Sequence, residues 1–290
     1  MKGVILAAGY GTRFLPATKT IPKEMFPLID TPAIELIIQE FREAGIKDIL
    51  IVTSRRKKAL EDYFDREVEM ENAFAEEKGA EKKLQAIIPG TENIFFLRQR
   101  EMAGTGDALL LVEPFVGDSP FVVAYPDDIL IEGPSLAGQL MKVYEQTRKT
   151  VLAAKDIPTG DISRYGVLDA QAQDEIIVVN GVVEKPPVGQ EPSRLVSFGR
   201  YLYTPDLFPA LRETRETITD GKEFTQTSAI NKLAAEGKVV AQQLEGEWLD
   251  VGAPQGYLEA IVEYGLRRPE FRDGLLGFLQ KVVTRESGEK

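Results

Sequence analysis

Short apolar runs recur along the first half of the chain, at Val4–Ala8, Ile49–Val52, Ile94–Leu97, Phe121–Ala124 and Val151–Ala154, and they constrain the fold more than any other feature. Each has the length of a strand and is too short for a helix, and none alternates apolar with polar residues. A strand that is apolar on both sides needs cover on both faces, as in parallel α/β sheets. Helical patterns separate the runs. Ile34, Ile37, Ile38 and Phe41 share one face of a segment from about Pro32 to Ala44, which Gly45 stops, and similar patterns lie near Ala108–Leu111 and over Leu136–Thr147. The alternation predicts an α/β fold with a mostly parallel mixed sheet flanked by helices.

After Tyr165 the pattern becomes β-rich, at Gly166–Leu168, Ile176–Val179 and Val196–Leu202, which predicts a small β-rich lobe. Helical patterns return around Pro205–Arg212, Ser228–Glu236 and Pro254–Leu266. The stretch from Asp65 to Gly90 is dense in Glu and Lys and reads as a surface insertion without chemistry. The expected organisation is a single domain over 1–270, with halves at about 1–155 and 156–270, and a tail over 271–290. Leu275, Leu276, Phe278 and Leu279 in that tail predict packing on the core or on another subunit.

The chain has no cysteine and no histidine, so thiol nucleophiles, zinc–thiolate sites and the commonest general base are excluded. Carboxylates, lysine, arginine or a bound metal must carry any catalysis. A net charge of -11 argues against a nucleic-acid partner, which needs a basic face. No apolar run is long enough to span a bilayer and the N-terminus lacks the layout of a signal peptide, so no membrane partner and a cytoplasmic location are expected. The charge is uneven, however. Lys2, Arg13, Lys19 and Lys23 precede the first acid, Glu24, and form a segment suited to a small polyanion.

That segment holds the first motif. Ala8, Gly9, Gly11 and Thr12 follow the first strand, where glycines let backbone N–H groups approach phosphates or a base edge, while Arg13 and Lys23 can neutralise phosphate oxygens. The motif is neither a Walker loop, since no Gly-Lys-Ser/Thr follows, nor Gly-x-Gly-x-x-Gly, since position 14 is Phe. Tyr125-Pro126-Asp127-Asp128 ends a second apolar strand, and adjacent carboxylates at a strand end suit Mg²⁺, which takes one or two protein carboxylates and fills its shell with phosphate and water oxygens.

The strings Gly11-Thr12-Arg13-Phe14-Leu15-Pro16-Ala17-Thr18-Lys19 and Ile21-Pro22-Lys23-Glu24-Met25 resemble the sugar-nucleotide pyrophosphorylases, in particular the bacterial UTP–glucose-1-phosphate uridylyltransferase (UDP-glucose pyrophosphorylase) branch. The resemblance extends to about Pro269. It implies a Rossmann-like, glycosyltransferase-A-like fold whose β-rich lobe binds the sugar. It implies that Gln99, with both a donor and an acceptor, and the loop at Gly104 lie against the base. Asp127, with Asp250 of Trp248-Leu249-Asp250-Val251-Gly252, is implied to hold Mg²⁺. Tyr165 and Gly166 are implied to flank the sugar, Glu184 to contact its hydroxyls, Lys185 its phosphate, and Gly199 to allow close backbone approach.

The implied reaction joins glucose 1-phosphate and UTP to give UDP-glucose and pyrophosphate, with Arg13, Lys23 and Lys185 as catalytic cations. A homodimer or homotetramer is the implied assembly. The same reaction with dTTP or another nucleotide or sugar 1-phosphate, or a non-catalytic sugar-nucleotide binding module, are the alternatives. Two departures stand out. Gly104-Thr105-Gly106-Asp107-Ala108 carries Thr105 and Asp107 where the branch has Leu and His. The segment from Glu223 to Ile230 carries Ser228 in place of the acid in the family's Glu-x-Gln-Leu-Thr-Asp-Ala-Ile.

Overall fold

The apolar runs become strands of one nine-stranded sheet in a computed structural model that describes residues 1–173, 176–218 and 223–288. Across the sheet the order is Asn93–Arg98, Asp48–Thr53, Lys2–Leu6, Phe121–Ala124, Leu195–Tyr203, Thr150–Asp156, Val239–Gln243, Ile176–Glu184 and Gly166–Gln173. The first four strands are parallel to one another, and in the whole sheet only Leu195–Tyr203 and Ile176–Glu184 run the other way. The expected mixed, mostly parallel sheet is the one observed.

Alternate side chains of these strands enter different cores, because successive residues of a strand point to opposite faces. Phe121 and Val123 join one cluster with Leu109, Val112, Phe208 and Leu211, while Val122 and Ala124 join the other with Ile34, Ile37, Phe41 and Leu140. Helices Thr105–Val116, Leu207–Arg215 and Thr227–Ala235 therefore cover one face, and Ala33–Glu43 and Leu136–Thr147 the other. Gly45, at φ 74°, ends Ala33–Glu43 in the left-handed conformation that favours glycine.

The β-rich part is built onto the same sheet. Leu195–Tyr203 inserts between Phe121–Ala124 and Thr150–Asp156, and its first residues also pair with Gly166–Gln173 through Val196 with Val167 and Ser197 with Gly166. The pairings thus close into a ring through Thr150–Asp156, Val239–Gln243, Ile176–Glu184 and Gly166–Gln173. Val239–Gln243 escapes the sequence reading because its apolar run is only three residues long.

The Glu/Lys-rich insertion forms two short helices, Val68–Ala75 and Glu81–Ile87, neither of which buries a residue. The tail forms the helix Pro269–Ser287, with Leu275 against Gly265 and with Phe278 and Val283 exposed; residues 289 and 290 lie outside the described residues. Among the described residues no helix is long and apolar enough to cross a membrane.

A buried ion pair fixes the region where the strands end. Arg200 is 0% exposed and donates from Nη2 to Glu40 and to the Asp128 carbonyl at 2.8 Å each, and from Nη1 to the carbonyls of Gly199 at 2.8 Å and Tyr125 at 3.3 Å. Glu40 also accepts from the Ala137 amide at 3.0 Å. One guanidinium thus holds the Tyr125–Asp128 loop, the strand beside it and a helix beneath. Glu40→Ala leaves that charge buried without its partner, so urea unfolding should show a loss of about 3–5 kcal/mol.

Candidate active site

Two cavities meet at Asp127. The first, about 530 Å³, lies over the ends of the parallel strands, and Ala8, Gly9, Gly11, Thr12, Gln99 and Gly104 line it together with Lys23 and Asp127. The second, about 480 Å³, is lined by Tyr165, Gly166, Glu184, Lys185 and Gly199, with Arg13, Asp127 and Asp250. Every residue singled out in the sequence as a candidate faces one of these spaces, and Asp127 faces both.

The glycine loop gets its shape from Gly11, whose φ of 65° starts a 3-10 turn over Thr12–Phe14. Thr18 Oγ1 donates to the Gly11 carbonyl at 2.8 Å and closes the loop. Arg13 reaches across to the Gly252 carbonyl at 3.3 Å, which ties this loop to the one carrying Asp250. Lys23 stands on the next 3-10 turn, Lys23–Met25, and its ammonium lies 2.5 Å from Asp127 Oδ2. Burial alone would lower the Lys23 pKa, but Asp127, Glu24 and Asp128 outweigh it and shift it upward, so the cation persists. Burial likewise pushes Asp127 up, and Lys23 and Arg13 bring it below the usual carboxylate range.

Glu24, next in sequence, is 1% exposed and accepts from Lys57 Nζ at 2.7 Å and 2.8 Å. This buried pair anchors the Lys23 turn to the segment after strand Asp48–Thr53. Burial lowers the Lys57 pKa against the opposing pull of Glu24.

At the far end of the first cavity, Gly104 has a φ of 114°, and a Cβ there would come within 2.2 Å of the Phe224 carbonyl. Phe224 straps the loop, donating to the Ala103 carbonyl and accepting from the Gly106 amide, each at 2.9 Å. Gln99 Nε2 donates to the Gly104 carbonyl at 3.1 Å and to Asp107 Oδ2 at 3.2 Å. Both partners are acceptors only, which fixes the amide's orientation: the nitrogen is engaged inside the loop and Oε1 is the atom left open. Gln99 therefore presents one acceptor, in place of the donor and acceptor expected from its residue type. Asp107 is held in turn by Arg215 at 3.3 Å.

The two aspartates, far apart in sequence, come together through the strand pair Asp128–Glu132 and Glu247–Asp250, in which Asp250 sits opposite Asp128. The Val251 amide donates to the Asp127 carbonyl at 2.8 Å. Between them lies Gly252: a Cβ at that position would be 2.9 Å from Asp127 Oδ2 and 3.1 Å from Asp250 Oδ1. The two carboxylates thus converge on a space that only glycine leaves open. No group of three or more His, Cys, Asp or Glu suited to a metal occurs among the described residues. A pair of hard carboxylate oxygens fits a divalent cation such as Mg²⁺, which completes its shell from water and phosphate.

Asp128 points away from that convergence, accepting from the Gly199 amide at 2.9 Å and from Trp248 Nε1 at 2.8 Å. Burial, then the negative charges of Asp127 and Asp250, push its carboxyl up to about 7. Gly199 is glycine because a Cβ would fall 2.4 Å from both Asp128 Oδ2 and Tyr125 Cβ. Its N–H is committed to Asp128, and the residue also borders the second cavity. In the second cavity Tyr165 Oη donates to Asp250 Oδ2 at 3.1 Å, and Arg164 lies 3.3 Å from the same oxygen. Lys185 follows Glu184 with a φ of 49°, unusual for a residue with a side chain and typical of functional loops.

Sequence reading missed Glu24, Lys57, Glu40 and Arg200, whose partners lie 33 and 160 positions apart. It gave no site role to Tyr125, Thr105 or Gln226, which stand in the cavity walls. Arg200 does adjoin Gly199 in Phe198-Gly199-Arg200-Tyr201, and Glu24 adjoins Lys23, so adjacency to a motif was the available signal.

A glycine loop over parallel strand ends, a convergent carboxylate pair and two adjoining cavities define a nucleotidyltransferase. Residues 2–265 match the family model described as nucleotidyl transferase, and the chain belongs to that family. It is 40% identical over 284 residues to the UTP–glucose-1-phosphate uridylyltransferase of Staphylococcus epidermidis, covering 97% of this chain and 98% of that protein. Among solved structures, a UTP-bound UDP-glucose pyrophosphorylase from Acinetobacter baumannii superposes with a TM-score of 0.84 at 33% identity, covering 97% of this chain and 98% of the other. A UDP-glucose pyrophosphorylase complexed with UDP-glucose gives 0.79 at 36% identity, over 92% and 99%.

Proposed function

We propose that the protein is a UTP–glucose-1-phosphate uridylyltransferase that joins UTP and glucose 1-phosphate to give UDP-glucose and pyrophosphate. The observation that carries this is the position of Asp127 between the two cavities. A triphosphate in the first and a sugar 1-phosphate in the second meet at its carboxylate. The 40% identity to a uridylyltransferase over nearly the whole chain supports the choice of substrates.

In this reading an oxygen of the sugar phosphate attacks the α-phosphorus in line. A new P–O bond forms, the bond from the α-phosphorus to the α,β-bridging oxygen breaks, and pyrophosphate leaves with that electron pair. A phosphate monoester has a second pKa of about 6 and is largely dianionic at neutral pH, so no general base is needed and a chain without histidine suffices. The obstacle is the meeting of two polyanions. Lys23 and the backbone amides of the Gly9–Thr12 loop hold the triphosphate, Arg13 stands where the two loops meet, and Lys185 holds the sugar phosphate. Asp127 and Asp250 would hold Mg²⁺, which supplies charge neutralisation at the α-phosphate when bound. Glu184 accepts from sugar hydroxyls, and Tyr165 and Gly166 form the sugar-side wall.

The open Oε1 of Gln99 suits the N3–H of uracil and cannot pair with the bare N3 of cytosine. Thymine carries the same N3–H, so dTTP is the second reading. In this scheme the nucleotide half over about 1–155 supplies most of the first cavity and the sugar half over about 156–270 most of the second. A cytoplasmic homodimer or homotetramer completes it, and exposed Phe278 and Val283 on the C-terminal helix support self-association.

The test is pyrophosphate release across UTP, dTTP, CTP, ATP and GTP against a panel of sugar 1-phosphates. UTP with glucose 1-phosphate should be fastest, and CTP should fall behind UTP by about 10²-fold or more, because it leaves Oε1 facing a lone pair. Turnover of CTP at the UTP rate would overturn the role given to Gln99, and no pyrophosphate from any pair would overturn the function.

A further inference from the structure

Gln226 stands in the wall of the sugar-side cavity and Thr105 on the border of both cavities, and neither has a part in the chemistry above. Thr105 opens the helix Thr105–Val116 and Gln226 immediately precedes Thr227–Ala235, so two helix starts meet at this wall. Thr105 Oγ1 donates to Gln226 Oε1. That bond fixes the glutamine: its oxygen is engaged, and Nε2 is the group left over. Among the described residues Nε2 has no hydrogen-bond partner, and it does not belong to the unpaired atoms sealed from solvent, so it opens on the cavity.

The surroundings are polar in the same way. Tyr125 Oη lies beside both Thr105 and Gln226, and Tyr201 lies beside Ser197 and Gln226. The hydroxyls of Tyr125 and Ser197 are buried without a hydrogen-bond partner. Those two hydroxyls are sealed from solvent and out of a ligand's reach, so Gln226 Nε2 is the hydrogen-bonding group that this part of the wall offers to the cavity. The carboxylates of Glu184 and Glu223 line the same cavity, which disfavours an acidic substituent there and favours a neutral, hydroxylated one.

We infer that Gln226, held in place by Thr105, donates from Nε2 to a hydroxyl oxygen of the bound sugar and determines which neutral sugar 1-phosphates are accepted. This rests on the uridylyltransfer proposed above. Gln226→Leu should raise KM for glucose 1-phosphate about ten-fold while KM for UTP stays within about two-fold, as expected when one hydrogen bond to one substrate is lost. With a series of monodeoxy glucose 1-phosphates, the wild type should discriminate against the analogue lacking the contacted hydroxyl, and Gln226→Leu should lose that discrimination while keeping the others. Thr105→Val, nearly isosteric, frees the glutamine and should shift the sugar KM in the same direction by less; Thr105→Ser should resemble the wild type. UTP binding followed by calorimetry checks that each variant is folded. An unchanged sugar KM in Gln226→Leu, equal changes for both substrates, or a deoxy profile identical to the wild type would overturn the inference. Failure of the wild type to release pyrophosphate from any sugar 1-phosphate with UTP would overturn instead the function on which it rests.

Discussion

Lys23→Ala will lower kcat/KM by about 10²–10³-fold and leave the fold in place, because a charge partner of the transition state is commonly worth that much. The ammonium is 2.5 Å from Asp127 and stays charged despite its burial, so the resting site already holds the cation at the point where the cavities meet. The turn that carries it is anchored independently by the Glu24–Lys57 pair, so the substitution does not unmake the loop. A purely structural Lys23 predicts something else. In that case Asp127 would lose its counter-ion, thermal stability would fall, and the residual activity of the folded fraction would be near normal. Initial rates of pyrophosphate release, set beside a thermal melt of the same preparation, separate the two. Activity within about two-fold of wild type at matched folded concentration would remove Lys23 from the mechanism.

The same residues show what a linear sequence can and cannot convey. Val4–Ala8 and Phe121–Ala124 were legible as buried strands because four or five consecutive apolar residues need cover on both faces, and the cores on either side of Phe121–Ala124 supply it. The functional loops were legible because they begin where those strands end: Gly9–Arg13 after one and Tyr125–Asp128 after the other. Val239–Gln243 has too short an apolar run to register, although it sits inside the sheet.

Residue identity revealed chemistry but not commitment. Gln99 carries a donor and an acceptor in every protein, and only the positions of the Gly104 carbonyl and Asp107 reveal that its donor is taken. Gly199 borders the second cavity, but only the fold reveals that its missing Cβ also makes room for Asp128 and Tyr125. Arg200 carries no role in the sequence reading, and only the fold closes three carbonyls and Glu40 around it. Each of these depends on a partner brought in by tertiary folding, which neither periodicity nor motif spacing records.

The aspartate pair carries the other large effect. Asp127→Asn and Asp250→Asn should each lower kcat by about 10³-fold, the rate equivalent of roughly 4 kcal/mol, which is the scale on which a bound metal stabilises developing charge. Asparagine keeps the size and one oxygen, so the loss reads out charge and not volume. Both carboxylates border the space that Gly252 leaves open, and each is also neutralised by the protein, Asp127 by Lys23 and Asp250 by Arg164. Either substitution should therefore abolish joint capture of the cation, and the double variant should be little worse than the single ones, since the two act as a unit. Asp128→Asn is the control from the same loop. It gives up one of two structural hydrogen bonds, to Gly199 or to Trp248, and should cost far less in kcat. Titrating Mg²⁺ against the UTP complex supplies a readout apart from turnover: the metal dependence of UTP binding should vanish in both aspartate variants and persist in Asp128→Asn. If either Asp127→Asn or Asp250→Asn keeps wild-type kcat and an unaltered Mg²⁺ titration, the shared metal site is wrong, and the convergence of the two carboxylates on Gly252 then serves only to join the loops that carry Lys23 and Arg164.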